Sequence, residues 1–220
     1  MKLDETLKLI GTSIKNRFNI EASHDIWHLK RVTNTALHIQ KKESGDKEVV
    51  AVASMLHDVH RIIQKDTGKF CSPKESLPVV QEILDEVGVD KNRQKQILHC
   101  IEFHEEYEFS STGKTVFDIE TLILQDADNL DAMGAIGIGR AFTYSGVYNI
   151  PMYNPDIPIN RESYDENTKN DLTTIHHFYS KLLKLKNNMN TKTGKKLAKA
   201  RHEFMIKFLD EFFDEWEGKR

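Results

Sequence analysis

Apolar residues recur along this chain at intervals of three and four positions, which is the period of an α-helix. Three successive amphipathic segments are predicted in the first third of the chain. Their apolar positions are Leu7, Ile10, Ile14 and Phe18; then Ile26, Leu29, Val32, Ala36 and Ile39; then, from about Lys47, Val49, Val52, Ala53, Leu56, Val59 and Ile63.

Helix-start signals come next. Ser72-Pro73-Lys74-Glu75 has the residues of a capping box, but Ser76 with Pro78 competes for the same role. Gly88 is expected to end that helix, and further helices are predicted over roughly 91–106, 117–132 and 135–145. Two long helices are predicted to close the chain, with apolar residues at Leu172, Ile175, Leu182 and Leu185, then Leu197, Phe204, Phe208, Phe212 and Trp216.

No alternating strand pattern occurs, so the fold class predicted is all-α. We expect one helical-bundle domain over 1–220, with a core of about 20–145 and C-terminal helices at about 167–217. Three of the five prolines fall in a predicted loop of about twenty residues, 146–165. Such a loop is either a functional lid or a surface excursion.

Composition narrows the function classes. The 220 residues are 39% apolar and 30% charged, with a formal net charge of -3, which is typical of a globular domain. Without a global basic field, no nucleic-acid polymer is expected as a partner, and phosphate binding would need a local site. Two cysteines, Cys71 and Cys100, fit a reducing compartment. No signal core or membrane span is recognised, which predicts a cytoplasmic protein.

Four ionisable residues that lie among apolar neighbours are candidate metal ligands: His28, His57, Asp58 and Asp128. Two imidazoles and two carboxylates suit a divalent first-row metal. Each also has an ordinary interpretation: His28 as a hydrogen-bonded helix histidine, His57-Asp58 as a helix-end pair, and Asp128 as a surface acid. Asp126 is a rival for the fourth place because three acids fall between 126 and 131.

The segments around these residues resemble the ordered signature of the HD superfamily of metal-dependent phosphohydrolases. The similar segments are His28-Leu29-Lys30-Arg31-Val32, Leu56-His57-Asp58, Asp126-Ala127-Asp128-Asn129-Leu130, Ser23 to His28, Asp131 to Arg140, His177 to Leu183 and Ala200 to Met205. The likeness covers roughly 20–215 and is strongest to a bacterial single-domain subgroup that includes nucleoside triphosphate pyrophosphohydrolases.

The resemblance implies a helical bundle in which His28, His57, Asp58 and Asp128 hold one divalent metal ion. Mn²⁺ is expected first, with Fe²⁺, Co²⁺, Ni²⁺, Mg²⁺ and Zn²⁺ as alternatives. Some relatives bind two ions through two further histidines. His99 and His104 fall in the right interval here but are only five residues apart, which favours a single ion.

Other residues receive roles in the same reaction. Asp58, His104 and Arg61 are the expected catalytic residues, with His104 contacting a phosphate or a water. Phosphoryl transfer needs positively charged side chains that stabilise the negative charge developing on the phosphate oxygens. The substrate-binding candidates are Lys30, Arg31, Arg140 and Lys181, with Asp131 orienting a ligand or a substrate group. Asp25, beside His24, would cap its helix or orient His28.

The function expected is therefore hydrolysis of a nucleotide or another small phosphorylated metabolite, with pyrophosphate release from a nucleoside triphosphate as the first choice. The alternatives are a nucleoside monophosphate phosphatase, oxygen chemistry at a di-iron centre, and a non-enzymatic metal-binding regulatory module. The long amphipathic C-terminal helix could also serve a homodimer.

Overall fold

The computed structural model describes residues 2–17, 26–105, 118–159 and 172–220, and within these ranges it contains helices but no strand. The all-α prediction is therefore confirmed. The helices are α1 (Leu3–Arg17), α2 (Ile26–Glu43), α3 (Lys47–Leu56), α4 (Val59–Thr67), α5 (Pro73–Val87), α6 (Lys91–Phe103), α7 (Ile119–Asp131), α8 (Gly134–Val147), α9 (Thr174–Ser180), a 3₁₀ segment (Leu182–Asn188) and α10 (Lys192–Trp216). Among these helices, none combines the length and the apolar character that a bilayer crossing requires.

Two compact units make up the chain, Met1–Asp128 and Asn129–Arg220, and the boundary between them falls within α7. The first unit holds α1 to α6 and most of α7. The second holds the end of α7, α8, α9, the 3₁₀ segment and α10. That the 220 residues act as one domain remains a prediction.

Helix α3 is the centre of the first unit. Every residue from Val49 to Leu56 is buried, because α3 is apolar on all sides and packs against α1, α2 and α6. Helix α5 packs against α1, α4 and α6 on the outside of this group. Residues directly after Leu56 therefore start inside the core.

Helix α5 begins as the capping-box motif predicts. The Ser72 hydroxyl accepts a hydrogen bond from the Glu75 amide at 3.3 Å, and the Glu75 carboxylate accepts one from the Ser72 amide at 2.7 Å. The competing start at Ser76 is not used, since Ser76 lies inside the helix and donates its hydroxyl to the Pro73 carbonyl. Gly88 ends α5 with φ of 74°, in the left-handed region.

The prediction of one continuous third helix through Ile63 was wrong. The chain leaves the helix after Leu56 and starts α4 at Val59, so His57 and Asp58 occupy the junction. Asp58 has φ of -92° and ψ of 14°, in the bridge region between helix and strand. Val59 is fully buried, like Leu56 before the break. The apolar spacing in the sequence therefore continues across the break and does not reveal it.

In the second unit, α10 packs against α8 and the 3₁₀ segment, and an aromatic cluster fills the space between the helices. The rings of Phe178 and Phe208 stack at 5.9 Å, and Phe142 contacts both. The predicted long helix before α10 was wrong, because a seven-residue α9 is followed by a 3₁₀ segment. Leu182 and Leu185 are both buried there, and their spacing of three also fits the 3₁₀ period.

The part of the predicted loop that the structure describes is attached to α9. The amides of Thr174 and Ile175 donate to the carbonyls of Pro151 and Met152 at 3.0 Å each. The His176 ring lies 2.8 Å from the Pro158 carbonyl. A role for this loop as a lid stays a prediction, and residues 160–165 lie outside the described residues.

Candidate metal centre

His57 follows directly on the buried helix α3 and is itself completely buried. Its Nδ1 lies 2.8 Å from the Ser54 carbonyl oxygen. A carbonyl only accepts, so Nδ1 carries a proton, and in the neutral imidazole Nε2 presents a lone pair. Among the described residues, Nε2 has no hydrogen-bond partner. A buried lone pair of this kind is the donor that a metal ion requires.

Three further side chains converge on this lone pair. Nε2 of His57 lies 3.7 Å from Oδ1 of Asp58 and 3.6 Å from Oδ1 of Asp128. Nε2 of His28, on α2, lies 3.3 Å from Oδ2 of Asp58 and 3.6 Å from the same Asp128 oxygen. The structure thus brings together His28, His57, Asp58 and Asp128, the four predicted metal residues, from α2, the α3–α4 junction and α7.

The break between α3 and α4 allows two adjacent residues to face one point. In a continuous helix their side chains would diverge by about 100°. Here the Asp58 carboxylate does not cap α4, although the residue holds the N-cap position. It points instead toward His28.

Asp128 rather than Asp126 reaches the two imidazoles. Asp126 is two residues earlier on α7, so its side chain projects about 200° away around the helix axis. Asp126 is fully buried, which explains why the sequence alone could not separate the two acids by their setting.

The imidazoles and carboxylates of the cluster shift one another's pKa values toward the charged forms. Burial opposes the charging of His57, but the carboxylates of Asp58 and Asp128 outweigh it and raise the pKa of His57 above its usual value. Burial likewise acts to raise the pKa of Asp128, while the imidazoles of His57 and His28 hold that pKa well below its usual range. The carboxylate is therefore ionised at neutral pH, as a metal ligand must be.

The residues fit a divalent ion. One ligand atom each from His28, His57 and Asp58 lies within 4.8 Å of the others, and all three residues are buried. Neutral imidazole nitrogens combined with carboxylate oxygens form a donor set for Mn²⁺, Fe²⁺, Co²⁺, Ni²⁺ or Zn²⁺.

A second group of side chains adjoins the first and includes two residues that sequence reasoning did not single out, His60 and Glu105. Ligand atoms of Asp58, His60 and His104 also lie within 4.8 Å of one another. The Glu105 carboxylate oxygen Oε1 lies 2.7 Å from the Arg61 guanidinium and 3.3 Å from Nε2 of His60. The available signals were the spacing of three between His57 and His60 and the position of Glu105 beside His104.

Glu105 is strongly acidic in this setting. Burial alone would raise its pKa, but the hydrogen bond with His60 and the electrostatic interactions with His104 and Arg61 lower the pKa of Glu105 to about 2. For His104, burial first and the neighbouring imidazoles second lower the pKa below its usual value.

The predicted cationic residues are placed as follows. Lys30 is exposed, with its ammonium 4.7 Å from the centre of the Trp27 ring, and Arg31 is half-buried one turn after His28. In the second unit, Arg140 forms an ion pair with the buried Asp131 at 3.0 Å, and Lys181 is half-buried directly after α9.

Three further residues named from the sequence are His99, which was set aside as a ligand of a second ion, and His24 and Asp25. His99 lies away from the cluster of lone pairs, since its Nε2 lies 3.1 Å from the Asp118 carboxylate and its side chain is 47% exposed. His24 and Asp25 lie outside the described residues.

Comparison with known proteins identifies the family to which this segment is similar. The HD domain family model matches residues 26–133, which include all four candidate metal residues. The YpgQ protein of Bacillus subtilis is 32% identical over 213 residues, covering 95% of this chain and 93% of YpgQ.

Solved structures show the same similarity. An HD-superfamily hydrolase from Bacillus thuringiensis superposes with a TM-score of 0.73 at 32% identity, covering 98% of this chain and 96% of that one. The structure of B. subtilis YpgQ in complex with ADP gives a TM-score of 0.72 at 29% identity, covering 98% and 97% of the two chains. The chain therefore belongs to the HD superfamily, and the resemblance seen in its sequence is confirmed.

Proposed function

We propose that the protein is a metal-dependent phosphohydrolase that acts on a nucleotide or another small phosphorylated metabolite. The observation that carries the proposal is the convergence of His28, His57, Asp58 and Asp128 on one point, with the lone pair of His57 aimed into it. We assign one divalent ion to these four residues, with Mn²⁺ as the preferred metal. A divalent ion supplies Lewis acidity, which polarises a phosphoryl oxygen and lowers the pKa of a bound water.

The side chains beside the cluster would serve phosphoryl transfer. Asp58 holds the ion, and Arg61 would offset negative charge that develops on the phosphate oxygens. Its guanidinium is held by Glu105 at 2.7 Å, so it is oriented before substrate arrives. His104 would contact the phosphate or the attacking water.

Arg31 lies three residues after His28 on α2 and therefore on the same face of the helix as that candidate ligand. Lys30 is engaged with Trp27 at the surface. Substrate-binding roles for Arg140, Asp131 and Lys181 stay predictions.

A nucleotide is supported as substrate by a relative that resembles this chain over nearly its whole length, since B. subtilis YpgQ has been crystallised with ADP. Release of pyrophosphate from a nucleoside triphosphate is the first reaction to test. Dephosphorylation of a nucleoside monophosphate is the second.

The test measures phosphate and pyrophosphate release from a panel of nucleoside mono- and triphosphates, using metal-stripped protein with and without added Mn²⁺. The variant is Asp58→Asn, and the matched control is Asp66→Asn, which makes the same change at an exposed position of α4. We expect Mn²⁺-dependent release that Asp58→Asn abolishes and Asp66→Asn retains. The product separates a pyrophosphohydrolase from a phosphatase.

Equal activity in wild type and Asp58→Asn would contradict the proposal. Mn²⁺ binding without hydrolysis of any phosphate ester in the panel would favour the regulatory-module alternative, in which the metal only stabilises the fold.

A further inference from the structure

The outward face of α10 carries opposite charges in its two halves. Four exposed lysines lie on the amino-terminal half at the helical spacing of three and four: Lys192, Lys195, Lys196 and Lys199. Acidic residues follow on the same face in the carboxyl-terminal half, and they include Asp210, Asp214 and Glu217. From residue 172 to residue 202 the sequence contains no aspartate or glutamate. The helix is therefore basic at one end of its outward face and acidic at the other.

This order of charges does not serve the helix itself. The amino end of a helix is the positive end of its dipole, so lysines there and acids at the carboxyl end are the less favourable arrangement. The first turn of α10 has no acid, and its last turn has no basic residue. Within the part of the chain that the structure describes, the four lysines form no ion pair. A partner outside the chain would give these charges a favourable contact.

The charges of the two halves have the same spacing in reverse order. Three lysines follow one another at intervals of three and four residues: Lys192, Lys195 and Lys199. Three acids follow one another at intervals of four and three: Asp210, Asp214 and Glu217. The midpoint of the two series lies between Phe204 and Met205. Two copies of α10 that run antiparallel about a twofold axis at this midpoint place each lysine opposite an acid, and each pairing occurs twice.

Two exposed apolar side chains lie beside this midpoint. Phe204 is 50% exposed and Ile206 is 38% exposed, whereas Met205 between them is fully buried. In the antiparallel arrangement these two side chains of both copies fall in the middle of the contact, and the opposite charges fall at its ends. An apolar centre with a polar rim is the usual composition of a protein–protein interface.

A second copy of the chain fits this face better than a polyanion does. An extended anion such as nucleic acid would meet the lysines favourably and the acids of the same face unfavourably, whereas a second copy satisfies both halves. Arg220 contacts Glu211 and Asp214, and Lys219 contacts Glu217. These ion pairs are exposed and contribute little, so the acids are able to exchange them for lysines of a second copy.

We propose that the outward face of α10 is a dimer interface, where the helix packs antiparallel against α10 of a second copy. In this dimer Lys199 faces Asp210 of the second copy, and Lys195 faces Asp214 of the second copy. A contact of one helix with one helix is at the small end of specific interfaces and is rich in charge, so the dimer is reversible and weakened by salt. The interface does not depend on the reaction proposed above.

Sedimentation velocity of wild type and two charge-reversal variants tests the interface. The first variant combines Lys195→Glu with Lys199→Glu, and the second combines Asp210→Lys with Asp214→Lys. Wild type should be a dimer at low salt, and the dimer fraction should fall as NaCl rises from about 0.05 M to about 0.5 M. Each variant alone should be monomeric, because like charges then face one another. An equimolar mixture of the two should again form dimers, because each reversed half meets a reversed half of opposite charge.

The matched control combines Lys8→Glu with Lys95→Glu, which makes the same charge change at exposed positions of α1 and α6 and should leave the dimer intact. Circular dichroism checks that each variant is folded, and both reversals on α10 place charges that agree with the helix dipole. A monomeric wild type, or variants that remain dimeric, would overturn the proposal. Variants that separate but do not combine with each other in the mixture would overturn it as well, since only the antiparallel pairing predicts their recovery.

Discussion

Replacing Asp128 by asparagine should remove most of the stabilisation that Mn²⁺ confers on the folded protein, whereas the same change at Asp126 should leave it intact. Oδ1 of Asp128 lies 3.6 Å from Nε2 of both His28 and His57. Asp126 lies two residues earlier on α7, which places its side chain about 200° around the helix axis from that of Asp128. The two variants differ by two positions on one helix and make an identical chemical change.

The expected size follows from linkage between binding and folding. Loss of a group that only supports a ligand costs roughly 10–100-fold in metal affinity, so loss of a ligand charge should cost at least about 100-fold. At a Mn²⁺ concentration about 100 times the wild-type Kd, binding stabilises the fold by about 2.7 kcal/mol, and a 100-fold weaker site gives about 0.4 kcal/mol. For a chain of this size these values correspond to Tm increases of roughly 5–11 °C and 1–2 °C.

The assay is thermal unfolding of each protein with chelator and with Mn²⁺, where each variant is compared with its own metal-free form. This comparison removes the separate cost of changing the buried Asp126 carboxyl. A Mn²⁺-induced shift that survives in Asp128→Asn and disappears in Asp126→Asn would refute the assignment of the fourth ligand. If both variants keep a Mn²⁺-induced Tm increase as large as that of the wild type, neither aspartate is a ligand, and a carboxylate ligand from this part of α7 is refuted.

Two further predictions concern stability. A Cβ at Gly137 would lie 2.3 Å from the Ala132 carbonyl oxygen, whereas a Cβ at Gly139 meets nothing within 4 Å. Gly137→Ala should therefore lose about 1–3 kcal/mol and Gly139→Ala should gain up to about 1 kcal/mol in urea unfolding, and equal effects would contradict the close contact. Burial raises the pKa of Asp118, but hydrogen bonds from Thr121 outweigh it and hold this pKa below its usual 3.8. Because a lowered folded-state pKa stabilises the fold above the unfolded pKa, and this stabilisation is lost as the pH falls through the folded pKa, the stability advantage over Asp118→Asn should shrink as the pH falls below about 5, and a constant difference would exclude this role.

Most helices could be predicted from the sequence because burial in this fold follows the helical period. Ile10, Ile14, Leu29, Val32 and Ile39 are all buried, as their spacing predicts. The period was less informative in α10, where Phe204 and Trp216 are half exposed. The buried residues of α10 include Ala198, Met205 and Leu209. The buried face of this helix therefore differs from the face that the predicted aromatic positions define.

The candidate metal residues were accessible from sequence because an ionisable side chain among apolar neighbours needs a compensating partner. His57 and Asp58 follow eight consecutive buried residues, which is an unusual setting for a charge. The break between α3 and α4, which turns both side chains toward one point, could not be predicted from the sequence. The residues on either side of it, Leu56 and Val59, are both buried and continue the apolar pattern. Which of Asp126 and Asp128 faces inward depends on the rotation of α7, which the acid-rich segment does not reveal.

The position of each histidine relative to a helix end distinguishes His60, which the sequence analysis did not single out, from His99, which it named for a second ion and set aside. The last carbonyls of a helix have no backbone partner, so they are free to accept an imidazole N–H three residues later. His57 and His104 hold the C-cap positions of α3 and α6, and His60 uses the carbonyl of His57. Each ring is thereby oriented by its Nδ1, and Nε2 is left on the side away from that carbonyl. His99 sits in the body of α6, where the carbonyls are already engaged, so its ring turns outward to Asp118. In this fold a histidine at a helix end is the stronger candidate for a metal ligand, and counting histidines along the sequence does not register that difference.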